Sequence, residues 1–151
     1  ASPERTPFDP VEMTREAQKF ETGATGNCVG ALGLAANIGR VLEVGITTIE
    51  QAIGELTEYL ITQLHRLGLA PAAPVTPAHR SGIVAFNLPQ GVEAEQRLVE
   101  RLQDEGVAVS HRYTSQVGGV RVSPHYYNSH EDIDALISVT EGFLGAIEGG
   151  T

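Results

Sequence analysis

The chain has 151 residues, and its ten lysine and arginine residues against nineteen aspartate and glutamate residues give a formal charge of −9. Nucleic-acid binding relies on clustered cations, whereas the cations here are scattered singly, so that class of partner is excluded. One cysteine excludes an internal disulfide and a thiolate zinc cluster. The length suits one domain, and the sequence shows neither a secretion signal nor a long apolar run. We therefore expect a cytoplasmic protein, or a piece of one, without a membrane partner.

The first part of the chain has little periodicity. Residues 1–19 carry three of the eight prolines and indicate a lead-in segment before a domain over residues 20–151. A glycine-rich turn follows and predicts a helix over about residues 29–43 that ends near Gly45. The cysteine, Cys28, opens this helix among small apolar residues, and we expect it to be buried.

The most regular pattern lies between residues 46 and 67, where apolar residues recur every three or four positions. This spacing predicts a long amphipathic helix. A proline-rich connection follows, with an edge strand predicted near Val75. Residues 82–88, GIVAFNL, then indicate a buried strand.

The second half of the chain alternates helices and strands. It predicts a helix over about residues 92–105, a strand from Val107, a short loop over 115–118, a strand over 119–124 and a final helix that begins after Asn128 or Ser129. Strands joined by a short loop pair antiparallel. We therefore expect an α+β fold, with helices packed on one face of a small, largely antiparallel sheet.

Two local patterns refine these helices. Ser129 and Asp132 have the spacing of a capping box at the start of the last helix. The earlier helix carries acidic residues that alternate with arginines and predict a solvated face. These acidic residues are Glu93, Glu95, Glu100, Asp104 and Glu105.

The glycine-rich turn is the first candidate site. Gly23, Thr25 and Gly26 precede a predicted helix, where unpaired N–H groups and the helix dipole favour an anion such as phosphate. The turn matches neither the dinucleotide-binding nor the Walker glycine pattern. A phosphate contact and a plain helix-starting turn both remain open.

Arg121 is the second candidate, because it lies between valines in a strand-like stretch. A buried cation needs an anionic partner, and the guanidinium fork suits a carboxylate, from either an internal acidic residue or a ligand. His111 and Arg112 precede the short loop and are candidates for the same cleft; plain solvent exposure is the alternative for Arg112. The five histidines lack the spacing of a metal-binding pair, so we expect no metal site.

Three separated motifs together resemble one family. FETGATGN at 20–27, RSGIVAF at 80–86, and VRVSPHYYN at 120–128 followed by EDID at 131–134 are similar in order and separation to segments of class V aminotransferase-like enzymes. The family includes cysteine desulfurases, selenocysteine lyases, isopenicillin-N-epimerase-like proteins and kynureninases. Its members are pyridoxal-phosphate enzymes with the fold-type I, aspartate-aminotransferase architecture. The resemblance extends over about residues 10–147.

The resemblance implies that the chain covers the end of the large domain and the whole C-terminal small domain of a homodimeric enzyme. It implies that Arg121 binds the α-carboxylate of an amino-acid substrate. It also implies that Thr25, Gly23 and Gly26 contact the cofactor phosphate of the partner subunit. Lys19, the one lysine, does not lie at the position that binds pyridoxal phosphate covalently. We therefore assign no catalytic residue to this chain and expect it to be inactive alone, without covalently bound cofactor.

The loop before Arg121 distinguishes branches of the family. Cysteine desulfurases carry a nucleophilic cysteine there, whereas residues 111–118 contain none. This disfavours a cysteine desulfurase and favours an epimerase-like or lyase-like enzyme, with aminotransferase as the general label. The alternative is a non-enzymatic dimerisation or small-ligand binding module of the same fold. The amino acid, and the choice among transamination, elimination and epimerisation, remain open.

Overall fold

The computed structural model describes residues 15–16, 27–73, 76, 79–114 and 117–149. Its elements are α1 (Cys28–Val44), α2 (Ile46–Arg66), β1 (Val84–Phe86), α3 (Val92–Asp104), β2 (Ser110–Thr114), β3 (Val117–Val122) and α4 (His130–Glu148). The chain divides into two compact units, Ala1–Arg40 and Val41–Thr151. The element order and the α+β class that the sequence predicts are confirmed.

Helix α1 begins in the first unit with a side-chain cap. The Oδ1 atom of Asn27 accepts a hydrogen bond from the Gly30 N–H at 2.8 Å, which satisfies one of the free N–H groups of the first turn. A Cβ at residue 30 would collide with the Asn27 side chain, so this cap requires glycine. The prediction that Cys28 is buried is wrong: it is exposed, because α1 buries none of its side chains.

Helix α2 belongs to the second unit and confirms the predicted helix over residues 46–67. Gly45 precedes it with a φ of +89°, a left-handed conformation that favours glycine. Its buried residues form one stripe: Leu56, Thr57, Leu60, Ile61, Gln63 and Leu64. In the described part of the chain, no single helix is long and apolar enough to span a membrane. Only α1 and α2 taken together, as a bent pair, pass on length and composition.

The sheet has three strands in the order β1-β3-β2, and both pairings are antiparallel, as predicted. Beyond the outer edge of β1, Pro71 forms an isolated bridge with Phe86, and the Ala72 N–H donates to the Ala85 carbonyl at 2.7 Å. The edge strand predicted near Val75 lies outside the described residues.

The sequence predicted that this strand begins at Val107, but β2 begins at Ser110. The Val107 N–H donates instead to the Leu102 carbonyl at 2.8 Å, after Gly106 has turned the chain with a φ of +80°. Residue 107 therefore completes the end of α3. Strand β2 continues through Thr114 and β3 begins at Val117, so residues 117 and 118, which the sequence placed in a loop, belong to β3 instead.

The core lies between the helices and one face of the sheet. Helix α3 contacts β2, β3 and α4, and α2 contacts α4. Phe86, Leu98, Leu102 and Val120 are fully buried in this layer. The predicted capping box of α4 is confirmed, because the Ser129 N–H donates to the Asp132 carboxylate at 2.9 Å. The predicted packing of helices on one face of a small antiparallel sheet is therefore correct.

Candidate functional site

Arg121 lies on β3, the central strand of the sheet. It is paired with Ala85 of β1 and Ser110 of β2, two residues with small side chains. Its neighbours Val120 and Val122 are buried against the core. Because successive strand residues point to opposite faces, Arg121 projects from the face away from the core.

Arg121 has an unsatisfied donor. Its side chain is half-buried, and among the described residues its buried Nε has no hydrogen-bond partner and no acidic side chain forms a salt bridge with it. Leaving a buried donor without an acceptor costs about 1–3 kcal/mol. The internal salt bridge that the sequence left open is not present in the described part of the chain. Within the described part of the chain, the Nε donor is therefore left without an acceptor.

Arg112 lies on the same face as Arg121. It is exposed and pairs with Gly119, which is two residues from Arg121 on β3. The two arginines are therefore diagonal neighbours across the strand pair, with no side chain at residue 119 to separate them. The structure brings these two predicted site residues together on one surface.

His111 is not part of that surface. It pairs with the buried Val120, so it faces the core side of the sheet, and its Nε2 lies 3.0 Å from Oε2 of Glu95. The period of two along β2 separates His111 from Arg112, although they are adjacent in sequence. The expectation that His111 lines the cleft with Arg121 therefore needs correction.

Glu95 is the residue that sequence reasoning missed. It belongs to the predicted solvated face of α3, yet it is 1% exposed. Its carboxylate accepts hydrogen bonds from the Tyr113 hydroxyl at 2.7 Å, the Asn87 Nδ2 at 3.1 Å and the Leu88 N–H at 3.1 Å, besides His111. One signal was present: Glu95 precedes the buried Leu98 and Leu102 by three and seven positions, which is the spacing of one helix face.

These contacts keep Glu95 ionised. Burial alone would raise the pKa of its carboxyl group, but the hydrogen bonds from Tyr113, His111, Asn87 and Leu88 outweigh burial and lower the pKa below its usual range. The same contact raises the pKa of the Tyr113 hydroxyl, because its proton is held by Glu95. The cluster therefore presents a negative charge that is satisfied entirely within the protein.

Two glycines allow the strands to approach at this end of the sheet. A Cβ at Gly118 would collide with the Arg112 carbonyl, and a Cβ at Gly119 would collide with the Phe86 carbonyl. Each glycine thus faces a different neighbouring strand. Any larger residue at either position has to push the outer strands away from β3.

The other predicted site residues are not described. Gly23, Thr25 and Gly26, the predicted phosphate ligands, lie outside the described residues. Within the residues that are described, no group of three or more histidine, cysteine, aspartate or glutamate side chains is arranged to hold a metal ion.

The fold and the site define a small α+β domain whose sheet presents, on the face away from its helices, an arginine with a buried Nε that no described residue accepts from. The family model described as aminotransferase class-V matches residues 4–136. The chain belongs to this family, which confirms the resemblance found in the sequence.

Three similar proteins are each longer than this chain. A probable cysteine desulfurase of Pyrococcus abyssi is 29% identical over 143 residues, covering 90% of this chain and 35% of the relative. One of Halalkalibacterium halodurans is 33% identical over 142 residues, covering 85% and 34%. The apo structure of cysteine desulfurase from Thermococcus onnurineus superposes with a TM-score of 0.74 at 27% identity, covering 95% of this chain and 37% of that one. The chain thus spans about a third of the length of these relatives.

Proposed function

We propose that the chain is the C-terminal portion of a pyridoxal-phosphate-dependent enzyme that acts on an α-amino acid, and that Arg121 binds the substrate carboxylate. The observation that carries this proposal is the buried, unpartnered Nε of Arg121 on the central strand. A carboxylate accepts two parallel hydrogen bonds from a guanidinium, and the small residues Ala85 and Ser110 leave space beside it. Arg112 adds a second positive charge to the same surface.

The proposed contact with the cofactor involves residues just before α1. When bound, pyridoxal phosphate would act as an electron sink: it would accept the electron pair left at Cα when a bond to that carbon breaks. Thr25, with Gly23 and Gly26, is proposed to contact the cofactor phosphate of the partner subunit in a homodimer. The position of these residues just before α1 supports this, because the N–H groups of a helix N-terminus favour phosphate, although Asn27 already occupies one of them, the Gly30 N–H.

The contribution of this chain to catalysis is orientation. By holding the carboxylate, Arg121 fixes the rotation of the substrate about Cα, so that the bond to be broken is directed by the binding geometry. The sole lysine, Lys19, is not proposed to bind the cofactor covalently, and the chain alone is proposed to be inactive.

The proposed reaction does not use a cysteine nucleophile from the loop before Arg121. Residues 111–118 contain no cysteine, and Cys28, the single cysteine, opens α1 in the other unit of the chain. We therefore favour an epimerase-like or lyase-like enzyme, although the relatives are named cysteine desulfurases. The proposal covers transamination, elimination and epimerisation, because an arginine that holds a carboxylate serves all three.

The test is a kinetic comparison in the full-length enzyme that contains this chain. L-Alanine, L-serine, L-aspartate and L-cysteine serve as probe substrates, and the one turned over fastest is used throughout. Arg121→Ala is expected to raise KM on the order of 100-fold, and Arg121→Lys about 10-fold, because lysine keeps the charge but loses the fork.

Arg97→Ala, an exposed arginine on α3, is the matched control and is expected to keep the wild-type KM. An unchanged KM in Arg121→Ala would contradict the carboxylate assignment. A full-length protein that turns over none of the four amino acids would favour the non-enzymatic module instead.

A further inference from the structure

The carboxylate of Glu95 divides its hydrogen bonds between two strands. Its Oε1 accepts from the Asn87 Nδ2 and the Leu88 N–H, both at 3.1 Å, at the end of β1. Its Oε2 accepts from the Tyr113 hydroxyl at 2.7 Å and the His111 Nε2 at 3.0 Å, both on β2. The two oxygens therefore bond different outer strands: Oε1 bonds residues that follow β1, and Oε2 bonds residues of β2.

The backbones of the two outer strands are not paired with each other, although the Asn87 Nδ2 lies 3.0 Å from the Tyr113 hydroxyl. Strand β3 lies between β1 and β2, so their axes are about 9–10 Å apart, twice the usual strand spacing. Glu95 reaches both from α3, which packs against this face of the sheet. The central strand is also connected, because the Asn87 Nδ2 lies 2.8 Å from the Gly118 carbonyl of β3.

We propose that Glu95 is a positioning residue for Arg121: by bonding β1 with one oxygen and β2 with the other, it fixes the two strands that flank the arginine. The proposal rests on the proposed role of Arg121 in binding the substrate carboxylate. Glu95 acts from the opposite face of the sheet and does not touch the substrate.

The chemistry of the four partner groups determines what each atom of residue 95 must offer. The Leu88 N–H can only donate, and so can the Asn87 Nδ2, so Oε1 must remain an acceptor. The Tyr113 hydroxyl and the His111 Nε2 can each donate or accept. In wild type both donate to Oε2, which sets the imidazole in the tautomer with its proton on Nε2.

Glu95→Gln is therefore a selective perturbation. The amide oxygen can still accept from Asn87 and Leu88, while the amide nitrogen can donate to Tyr113 and to a neutral His111 that carries its proton on Nδ1. A protonated His111 has no acceptor to offer, so its N–H would face the amide N–H. The titratable groups that face residue 95 are these two on β2; the contacts from β1 come from Asn87 and Leu88, which do not titrate.

The experiment compares KM and kcat of wild type, Glu95→Ala, Glu95→Gln and Arg121→Ala in the full-length enzyme with the same probe amino acid. Glu95→Ala is expected to raise KM about 10-fold with kcat within about 3-fold, because the arginine is displaced but not removed. Glu95→Gln is expected to keep KM near wild type at about pH 8.

A second measurement does not depend on activity. Nitrogen-15 NMR of the histidine rings is expected to show His111 protonated on Nε2 in wild type and on Nδ1 in Glu95→Gln at about pH 8. Glu100→Gln is the matched control, since Glu100 lies on the same helix but is exposed. It is expected to keep the wild-type KM and the wild-type tautomer.

The outcomes separate this proposal from the function on which it rests. An unchanged KM in Arg121→Ala contradicts the proposed function, whatever the Glu95 variants do. A raised KM in Arg121→Ala together with a wild-type KM in Glu95→Ala contradicts only the positioning role. If Glu95→Ala fails to fold, Glu95→Asp decides, because its shorter side chain cannot reach both strands at once: a wild-type KM in Glu95→Asp overturns the proposal.

Discussion

The two faces of the three-stranded sheet differ in whether their buried charged side chain has hydrogen-bond partners. On the face toward α3, the buried Glu95 has a partner for each oxygen, and those partners come from β1 and β2. On the other face, the buried Nε of Arg121 has no partner among the described residues. Arg121 is half-buried and Glu95 is fully buried, yet within the described part of the chain only Glu95 has a hydrogen-bond partner for each of its buried polar atoms.

Under the proposed function, this difference separates a structural charge, Glu95, from a charge that binds a ligand, Arg121. A buried polar group whose hydrogen bonds are complete stabilises the fold and leaves no capacity for a ligand. A buried donor without an acceptor costs stability and offers that capacity to an anion. The completeness of the hydrogen bonds, rather than burial or charge alone, distinguishes the two faces.

The largest expected effect comes from Gly118, which sets the spacing of the strands that both faces share. Gly118→Ala is expected to lower the free energy of unfolding by more than about 2 kcal/mol, because its Cβ collides with the Arg112 carbonyl. Gly142→Ala is the control, since α4 leaves open space around residue 142 and alanine favours a helix by about 0.5–1 kcal/mol. Urea unfolding measures both changes. Equal stability of the two variants would show that β2 and β3 can separate without cost.

A smaller effect is expected from acid, and it tests the satisfied face. The hydrogen bonds lower the pKa of Glu95 in the folded state below its unfolded value, so its contribution to stability is present above that unfolded value and is lost as the pH falls through the folded one. Between about pH 5 and pH 3, wild type is therefore expected to lose stability more steeply than Glu95→Gln. Glu100→Gln is expected to follow wild type. An equally steep loss of stability with falling pH in wild type and Glu95→Gln would show that Glu95 does not contribute to the acid sensitivity.

The smallest change in stability is expected at Arg121, on the unsatisfied face. Arg121→Met keeps most of the length of the side chain and removes a buried donor that has no acceptor among the described residues. The free energy of unfolding is therefore expected to stay within about 0.5 kcal/mol of wild type or to increase. Arg97→Met, on the exposed surface of α3, serves as the control. A loss of more than about 1 kcal/mol at residue 121 alone would reveal an internal partner for Arg121.

The local elements were largely predictable from the sequence, because each depends on neighbouring residues. The helical spacing of α2, the capping box at Ser129 and the antiparallel pairing of β2 with β3 are all confirmed. The start of β2 was not predictable from its valines, because Val107 completes the end of α3 instead. The turn at Gly106 ends the helix and delays the start of the strand, and the spacing of apolar residues does not reveal such a turn.

The site was predictable only in part, for a different reason. Arg121 and Arg112 were selected by residue type and resemblance, and strand pairing places them on one surface. His111 was assigned to the same cleft because it is adjacent in sequence, whereas the pleat directs it to the other face. Glu95 was assigned to solvent because its charge was weighed without its partners. Those partners lie on two strands from different parts of the chain, and no local pattern reveals them.

The short bridge at Pro71 has a consequence for association between molecules. An open strand edge invites pairing with another chain, and β1 is an outer strand of this sheet. Residues 71 and 72 lie along that edge, where the Ala72 N–H already occupies the Ala85 carbonyl. Proline has no N–H to offer to a further strand. The segment therefore closes one side of the sheet against the edge-to-edge growth from which β-aggregates form.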